Sequence, residues 1–456
     1  MNFRAKGVAA AFAALCVGTT FAEASIDKVV VRQNWPWSPD VKIEFALTGV
    51  NEAVDVGVAL KADGVTLPVT DSDIRGKRFG LTQNGIYTLT VDTLKAFPKG
   101  NKVVSLQADL TVAPQSDKSK EVIYKIFDLK SSAHPVTDVT RGDLLNGKYG
   151  AVETDYSRIG PGYTTMLDDV IIWTGVTNYP GAKTDLLVLR KIPAGTFKGF
   201  GIGKTAPAEN NMTWSFDYWI AVFETTQAQR AHVGTGSWTK RSVFIGDELP
   251  DQNVQNYYLY SSMQKRDATS ITAGFFARLG EMFKVGDVRP YDFELPMAVQ
   301  WLRAYHAGTE DLYCDGLPTP DNTASNDQFS AIANYRYNGG LIENADGSVS
   351  TNLLAVGQFR PNAYGLYDMS GNIRELTRDA SEPSLTSGTD VHNYTGSSNN
   401  SVTYGGSYCQ DGSISTTEGI GAKTYQINSA AGGQVFVGFR VCMQAMADGK
   451  KLIGLE

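Results

Sequence analysis

The sequence predicts two parts in one chain: an all-β sandwich, then a larger α+β domain made mostly of loops. Three observations carry this reading. Apolar and polar residues alternate strictly in segments from Ser25 to Pro114, the period of strands with one buried face. Beyond residue 186, regular periodicity shrinks to a few short segments. Glycine is abundant at 46 of 456 residues, alongside 21 Tyr and 20 Phe, which suits strands and turns rather than a helical bundle. With 42% apolar and 20% charged residues, the chain has material for a sizeable core.

The first element is a targeting segment. Arg4 and Lys6 precede a short apolar run from Val8 to Val17, and Ala22-Glu23-Ala24 supplies small residues for cleavage, so residues 1–24 read as a signal peptide. The run is too short to span a bilayer, and no later stretch is long enough. The expectation is a secreted, periplasmic or cell-surface protein with no transmembrane segment. Leu15 stands before Cys16 where a lipoprotein carries a small residue, so lipidation is not expected. Cleavage leaves Cys314, Cys409 and Cys442. In an oxidising compartment these permit one disulfide and one free thiol, in any pairing.

The strands follow in order. Val41, Ile43, Phe45 and Leu47 form one apolar face, and Val54, Val56, Val58 and Leu60 another before the Asp63-Gly64 turn. Asn84-Gly85 precedes Tyr87, Leu89 and Val91, and Val104, Leu106, Ala108, Leu110 and Val112 alternate most clearly. Residues 25–128 therefore read as a small immunoglobulin-like sandwich, with Glu121 to Leu129 as a completing strand, in the role of a spacer or adhesion module. Residues 129–185 read as a linker. In the second domain, residues 186–443, a strand is expected at Leu186 to Ile192 and helices at Ala273 to Phe283 and Met297 to Ala307. The rest is rich in Gly, Asn, Ser and aromatics. Such loops need a metal ion or a dense hydrogen-bond network to organise them. Residues 444–456 read as a tail.

Several chemistries are excluded. A net charge of −7 gives no general basic face, so no nucleic acid is expected as a partner. The run Gly199 to Thr205 has Lys198 where a phosphate-binding loop needs its first glycine. His134, His232, His306 and His392 lack zinc-ligand spacing, and Asp346-Gly347 lacks the spacing of an EF-hand.

A set of ordered phrases does carry information. Leu187 to Phe197 comes first, then Asp217 to Gln227, Phe293-Glu294-Leu295-Pro296, Gln300-Trp301 and Ala307-Gly308. Ala333-Asn334-Tyr335 precedes the long phrase Arg360 to Glu375, and the chain closes with Gly405-Gly406-Ser407-Tyr408 and Gly438-Phe439-Arg440. From about residue 186 to 443 the chain resembles the formylglycine-generating enzyme, or sulfatase-modifying factor, family. The resemblance implies a loop-rich C-type-lectin-like fold, often stabilised by calcium.

Calcium takes oxygens from carboxylates and backbone carbonyls, and Asp368 and Glu375 bracket a short loop able to offer both. The resemblance assigns one calcium site to Asp368, Gly371, Ile373 and Glu375. It assigns a second to Asn334 and Tyr335, with further ligands near Asp346. Active relatives oxidise a sulfatase cysteine to formylglycine with O₂, using two cysteines that bind copper. Copper(I) and nucleophilic attack both require thiolates. The positions matching that pair are Gln410 and Ser415, and Cys409 is one residue out of register. The family's aromatic neighbours of the loop glutamate are Arg374 and Leu376 here, and its Thr-Glu after Leu-Pro is Met297-Ala298.

The sequence thus leads to no catalytic residues, structural calcium without copper, and a non-catalytic module whose loops bind a protein or glycan. A formylglycine-generating oxidoreductase is the alternative, and a structural envelope component is a third reading.

Overall fold

The computed structural model describes residues 23–33, 38–97, 103–159, 170–200, 209–234, 244–260, 274–309, 313–314, 329–338, 342–343, 349–350, 352–379, 388–390, 400–410, 420, 425–429 and 435–444. The apolar run of the signal segment and the tail past residue 444 fall outside them. The chain divides into two compact units, Met1–Val69 with Lys77–Ser116, and Thr70–Gly76 with Asp117–Glu456.

The first unit is all-β. Strand Asp40–Thr48 pairs antiparallel with Ser25–Gln33 on one side and Gly85–Asp92 on the other. Val54–Ala62 pairs with Val65–Thr66 and Leu106–Pro114. The alternation read from sequence becomes burial: Val41, Ile43, Phe45 and Leu47 are all inside. Asp63 and Gly64 both adopt positive φ, as a tight hairpin demands. Asp55 ties the loops together, accepting from the backbone N–H of Gly80 and of Ser116, each at 2.9 Å.

The boundary between the units differs from the sequence expectation. Val122–Asp128, assigned above to the sandwich, pairs with Leu186–Ile192 in the second unit. Ile123, Tyr124, Ile126 and Phe127 are buried on both faces of that strand, so it needs a core on each side. The stretch read as a linker likewise contributes Val139, Leu144, Tyr156, Ile172 and Trp173 to the interior.

Among the described residues the second unit is built on a six-stranded sheet. Its order is Asp292–Glu294, Cys442–Gln444, Tyr218–Ala221, Leu186–Ile192, Val122–Asp128 and Val136–Thr140. Neighbouring strands are antiparallel throughout. Strand alternation divides the core in two. Tyr218, Ile220, Ile192 and Cys442 pack with Trp301, Leu302 and Tyr305 of helix Ala298–His306. Trp219, Ala221, Leu187, Leu189 and Met443 pack with Phe275, Phe276 and Leu279 of helix Phe275–Met282. Both helices lie within the spans expected from sequence. A third, Gln227–Val233, was not anticipated, although Thr226 and Gln229 form a capping box at its start that the sequence displays.

A second sheet joins Tyr425–Ser429, Asn400–Tyr404, Arg374–Leu376 and Val437–Phe439. Short strands Ala333–Asn334 and Ser370–Gly371 pair in parallel. Side chains, rather than ladders, fix the loops between. At the start of helix Ala298–His306 the Met297 side chain makes no cap; Gln300 Oε1 accepts from the Met297 N–H at 2.9 Å, and Asp379 accepts from the Ala298 N–H at 2.6 Å. Asn362 is fully used: it donates to the carbonyls of Ala304 and Tyr305 and accepts from the N–H groups of Tyr364 and Leu366. Replacing it by alanine strands buried donors and acceptors, each costing about 1–3 kcal/mol. Asn362→Ala should lose about 2–4 kcal/mol in urea unfolding, and a loss under about 1 kcal/mol would show that water replaces the amide.

Candidate functional site

The site grows from one buried arginine. The phrase Gly438-Phe439-Arg440 leaves strand Val437–Phe439 and enters the central sheet, which carries Arg440 fully into the interior. Its Nη1 donates to the carbonyls of Ala221 and Val222, at 2.9 and 2.8 Å. Nη2 donates to the Tyr367 carbonyl and Glu375 Oε1, both at 2.7 Å. Nε reaches both Glu375 oxygens, at 3.1 and 3.0 Å. Trp301 Nε1 donates to Glu375 Oε2 at 2.7 Å. The indole of Trp301 stacks on Tyr404 and Tyr305, with centroids 5.2 and 5.1 Å apart. Helix, both sheets and the Asp368 loop therefore meet at one ion pair.

Two further carboxyls face this arginine. Glu224, at 0% exposure, accepts from the Ile373 N–H and from Asn372 Nδ2. Burial pushes its pKa well up, and the charges of Asp368 and Glu375 push the same way, against Arg440 and Asn372. Asp368 accepts from the Gly357 N–H at 2.6 Å. Its pKa is pushed up to about 6, chiefly by burial, with Gly357 and Arg440 pulling back. The loop between them is tightly prescribed. Asp368, Gly371 and Asn372 all have positive φ, and a Cβ on Gly371 would lie 2.2 Å from the Asn334 carbonyl oxygen, so only glycine fits there.

The residues assigned to two calcium sites form one cluster. Asn334 pairs with Gly371 across the short parallel strands, and the Asn372 N–H donates to the Asn334 carbonyl at 2.8 Å. Asn334 Nδ2 donates to Asn372 Oδ1 and to the Asn352 carbonyl, both at 3.0 Å. Tyr335 is buried beside it, and its N–H donates to Asn338 Oδ1. The donor sets differ in availability. Each Glu375 oxygen already accepts two hydrogen bonds, so a cation there would have to displace Arg440 or Trp301. By contrast, Asn334 Oδ1 and Asn352 Oδ1 are buried without a hydrogen-bond partner among the described residues. Neutral oxygens stranded this way suit a hard cation such as calcium. Asp346 lies outside the described residues.

The three cysteines are apart and unbonded, in place of the one disulfide that the count permitted. Cys314 is buried beside Ser370, 3.6 Å away, and Cys442 lies in the central sheet beside Gln300. Burial pushes the Cys442 thiol well above its ordinary pKa, which favours the protonated form over the thiolate. Cys409 is exposed, with Ser407 Oγ 3.2 Å from its sulfur. Gln410 points inward instead, accepting from Arg374 Nε at 2.9 Å and from Ser407 Oγ at 3.3 Å. Arg374 also lies over the Phe436 ring. Ser415 lies outside the described residues. Sequence reasoning did not single out Glu224, Asn372 or Arg440 as site residues. All three stand inside the ordered phrases, which was the available signal.

The ion pair yields a test. Arg440→Met would leave three carboxyls buried without a cation, whereas Glu375→Gln leaves Arg440 facing Glu224 and Asp368. Arg440→Met should cost about 3–5 kcal/mol by urea unfolding, and Glu375→Gln less. An equal or larger loss for Glu375→Gln would show that the other two carboxyls do not share the cation.

The sulfatase-modifying factor enzyme 1-like domain matches residues 183–445. Among solved structures, Treponema denticola variable protein 1 is similar at 18% identity and TM-score 0.41, over 57% of this chain and 95% of that one. PvdO from Pseudomonas aeruginosa matches at 16% identity and TM-score 0.41, over 57% and 94%. CarF matches at 16% identity and TM-score 0.36, over 57% and 98%. No curated protein sequence matches the chain. The family match spans more than half the chain and contains Arg440, Glu375, Asp368 and Asn334, and on that ground the chain belongs to the sulfatase-modifying factor enzyme 1-like domain family.

Proposed function

We propose that this protein is an exported, non-catalytic member of its family, a binding module whose lectin-like loops take a protein or glycan ligand. The carrying observation is the contact between Arg374 and Gln410. Each departs from the family pattern, one replacing an aromatic beside the loop glutamate and the other a copper-binding cysteine. They touch at 2.9 Å, so the two departures form one structural pair. Cys442 is a buried thiol, and Cys409 alone offers no second thiolate for copper or for exchange with a substrate. Export fits the first unit, the immunoglobulin-like part of this reading: Ser25, the residue after the expected cleavage point, also begins its strand. Among the described residues no helix is long and apolar enough to cross a membrane.

Calcium belongs to the same reading, at the Asn334 side of the cluster. Asn334 Oδ1 and Asn352 Oδ1 would join the Tyr335 carbonyl in holding it. A ligand bound only by the native state adds about 2.7 kcal/mol at a hundredfold excess over Kd. Chelation should lower the melting temperature of the wild type. Asn334→Leu should abolish that response, and Asn334→Asp should keep it. A wild-type melting curve unmoved by chelator would remove calcium from the account.

Exposed Cys409 favours the second reading, an oxidoreductase using one thiol in a shifted register. Reduced protein incubated with Cu(I), O₂ and a sulfatase-type cysteine peptide should return the peptide unmodified by mass spectrometry. Conversion to the aldehyde, lost in Cys409→Ser, would overturn the non-catalytic reading.

A further inference from the structure

A depression of about 570 Å³ lies in the second unit, where Gly357 to Pro361 pass Thr177, Ser330 and Tyr367. Its floor is held in place by the interior. The Gly357 N–H donates to Asp368, the Arg360 N–H to the Ala331 carbonyl at 3.0 Å, and the Tyr156 hydroxyl to the Pro361 carbonyl at 2.9 Å.

Arg360 lines this depression, and among the described residues one of its five side-chain N–H donors has an acceptor. Nη1 donates to the Ile159 carbonyl at 2.9 Å, which fixes the guanidinium. Nε is buried without an acceptor, and no carboxylate pairs with the group among the described residues. This differs from Arg440 and Arg378, which meet Glu375 and Glu294. A half-buried, pre-positioned guanidinium without a counter-ion is a receptor for a planar anion, above all a carboxylate. Its surroundings narrow the ligand further. Thr177, Ser330 and Gln358 offer hydroxyls and an amide, and Phe359 offers a half-exposed ring. A few polar groups around an apolar face is the make-up of a small-ligand site. A sugar ring meets it with hydroxyls on the rim and C–H groups on the aromatic, and a uronic acid adds the carboxylate.

We propose that the depression at Arg360 binds the carboxylate of an acidic saccharide. The proposal rests on the binding-module reading and gives its ligand a chemical class. The test uses the full processed chain in isothermal titration with a tetragalacturonate, its carboxyl-reduced neutral counterpart, and an acidic peptide of equal charge. Tetragalacturonate should bind at least about tenfold more tightly than either comparator, a ratio in keeping with one charge-assisted bidentate contact. Arg360→Gln should erase that difference, and Arg360→Lys should retain only part of it. Phe359→Ala, which leaves every backbone anchor of the loop in place, should weaken the acidic and neutral sugars alike. Equal binding of the neutral sugar, equal binding of the peptide, or no saccharide binding at millimolar concentration would overturn the proposal. None of those outcomes touches the peptide-oxidation assay, so failure here is distinguishable from failure of the non-catalytic reading.

Discussion

The fold of the second unit depends on the burial of Arg440. A guanidinium at 0% exposure survives in the interior only if its charge is paired and its N–H groups are all received. Glu375 supplies the charge, and the carbonyls of Ala221, Val222 and Tyr367 receive the remaining donors. Those acceptors come from the end of a central strand, from the loop leading to Asp368, and from the second sheet. The arginine can be satisfied only when all three are in their native places, so its desolvation couples them. Trp301 extends the coupling to the helix by donating to the same carboxylate.

Excess negative charge is the second feature of the cluster. Glu224 and Asp368 share the field of Arg440 with Glu375, and burial raises the pKa of both. Hydrogen bonds from Asn372, Ile373 and Gly357 are what hold them inside. Among the described residues the polar network thus takes over the organising role that regular secondary structure plays in other domains. Buried asparagines do much of the connecting, because one amide both donates and accepts.

Departures from the family pattern are matched by local repairs. Arg374 stands where an aromatic is usual, and Gln410 receives it. Met297 offers no capping oxygen to the helix that follows it, and Gln300 and Asp379, the latter just beyond strand Arg374–Leu376, receive its first N–H groups. Each contact supplies a hydrogen bond inside the domain that the chain shares with its family over residues 183–445.

Much of this was legible in the residues themselves. Alternation located the strands at Asp40–Thr48, Val54–Ala62 and Gly85–Asp92, each of which buries apolar residues; the equally regular Leu106–Pro114 is a strand whose residues are all at least partly exposed, and Val104 precedes it, exposed. The helical spans near Phe275 and Trp301 followed from their apolar spacing. The ordered phrases contain the residues of the candidate cluster, Asn334, Asp368, Glu375 and Arg440 among them. What the sequence left open was decided by contacts between distant residues. Val122–Asp128 looks like one more sandwich strand until its partner, Leu186–Ile192, shows that both of its faces need cover. Glu375 has the composition of a calcium ligand, but only packing reveals that Arg440, 65 residues later, occupies its oxygens. Local pattern reports which face of an element is apolar, because burial repeats with the period of the backbone. The partner of a buried charge is chosen by the fold as a whole, because desolvation is relieved by whichever group tertiary structure brings within hydrogen-bonding distance.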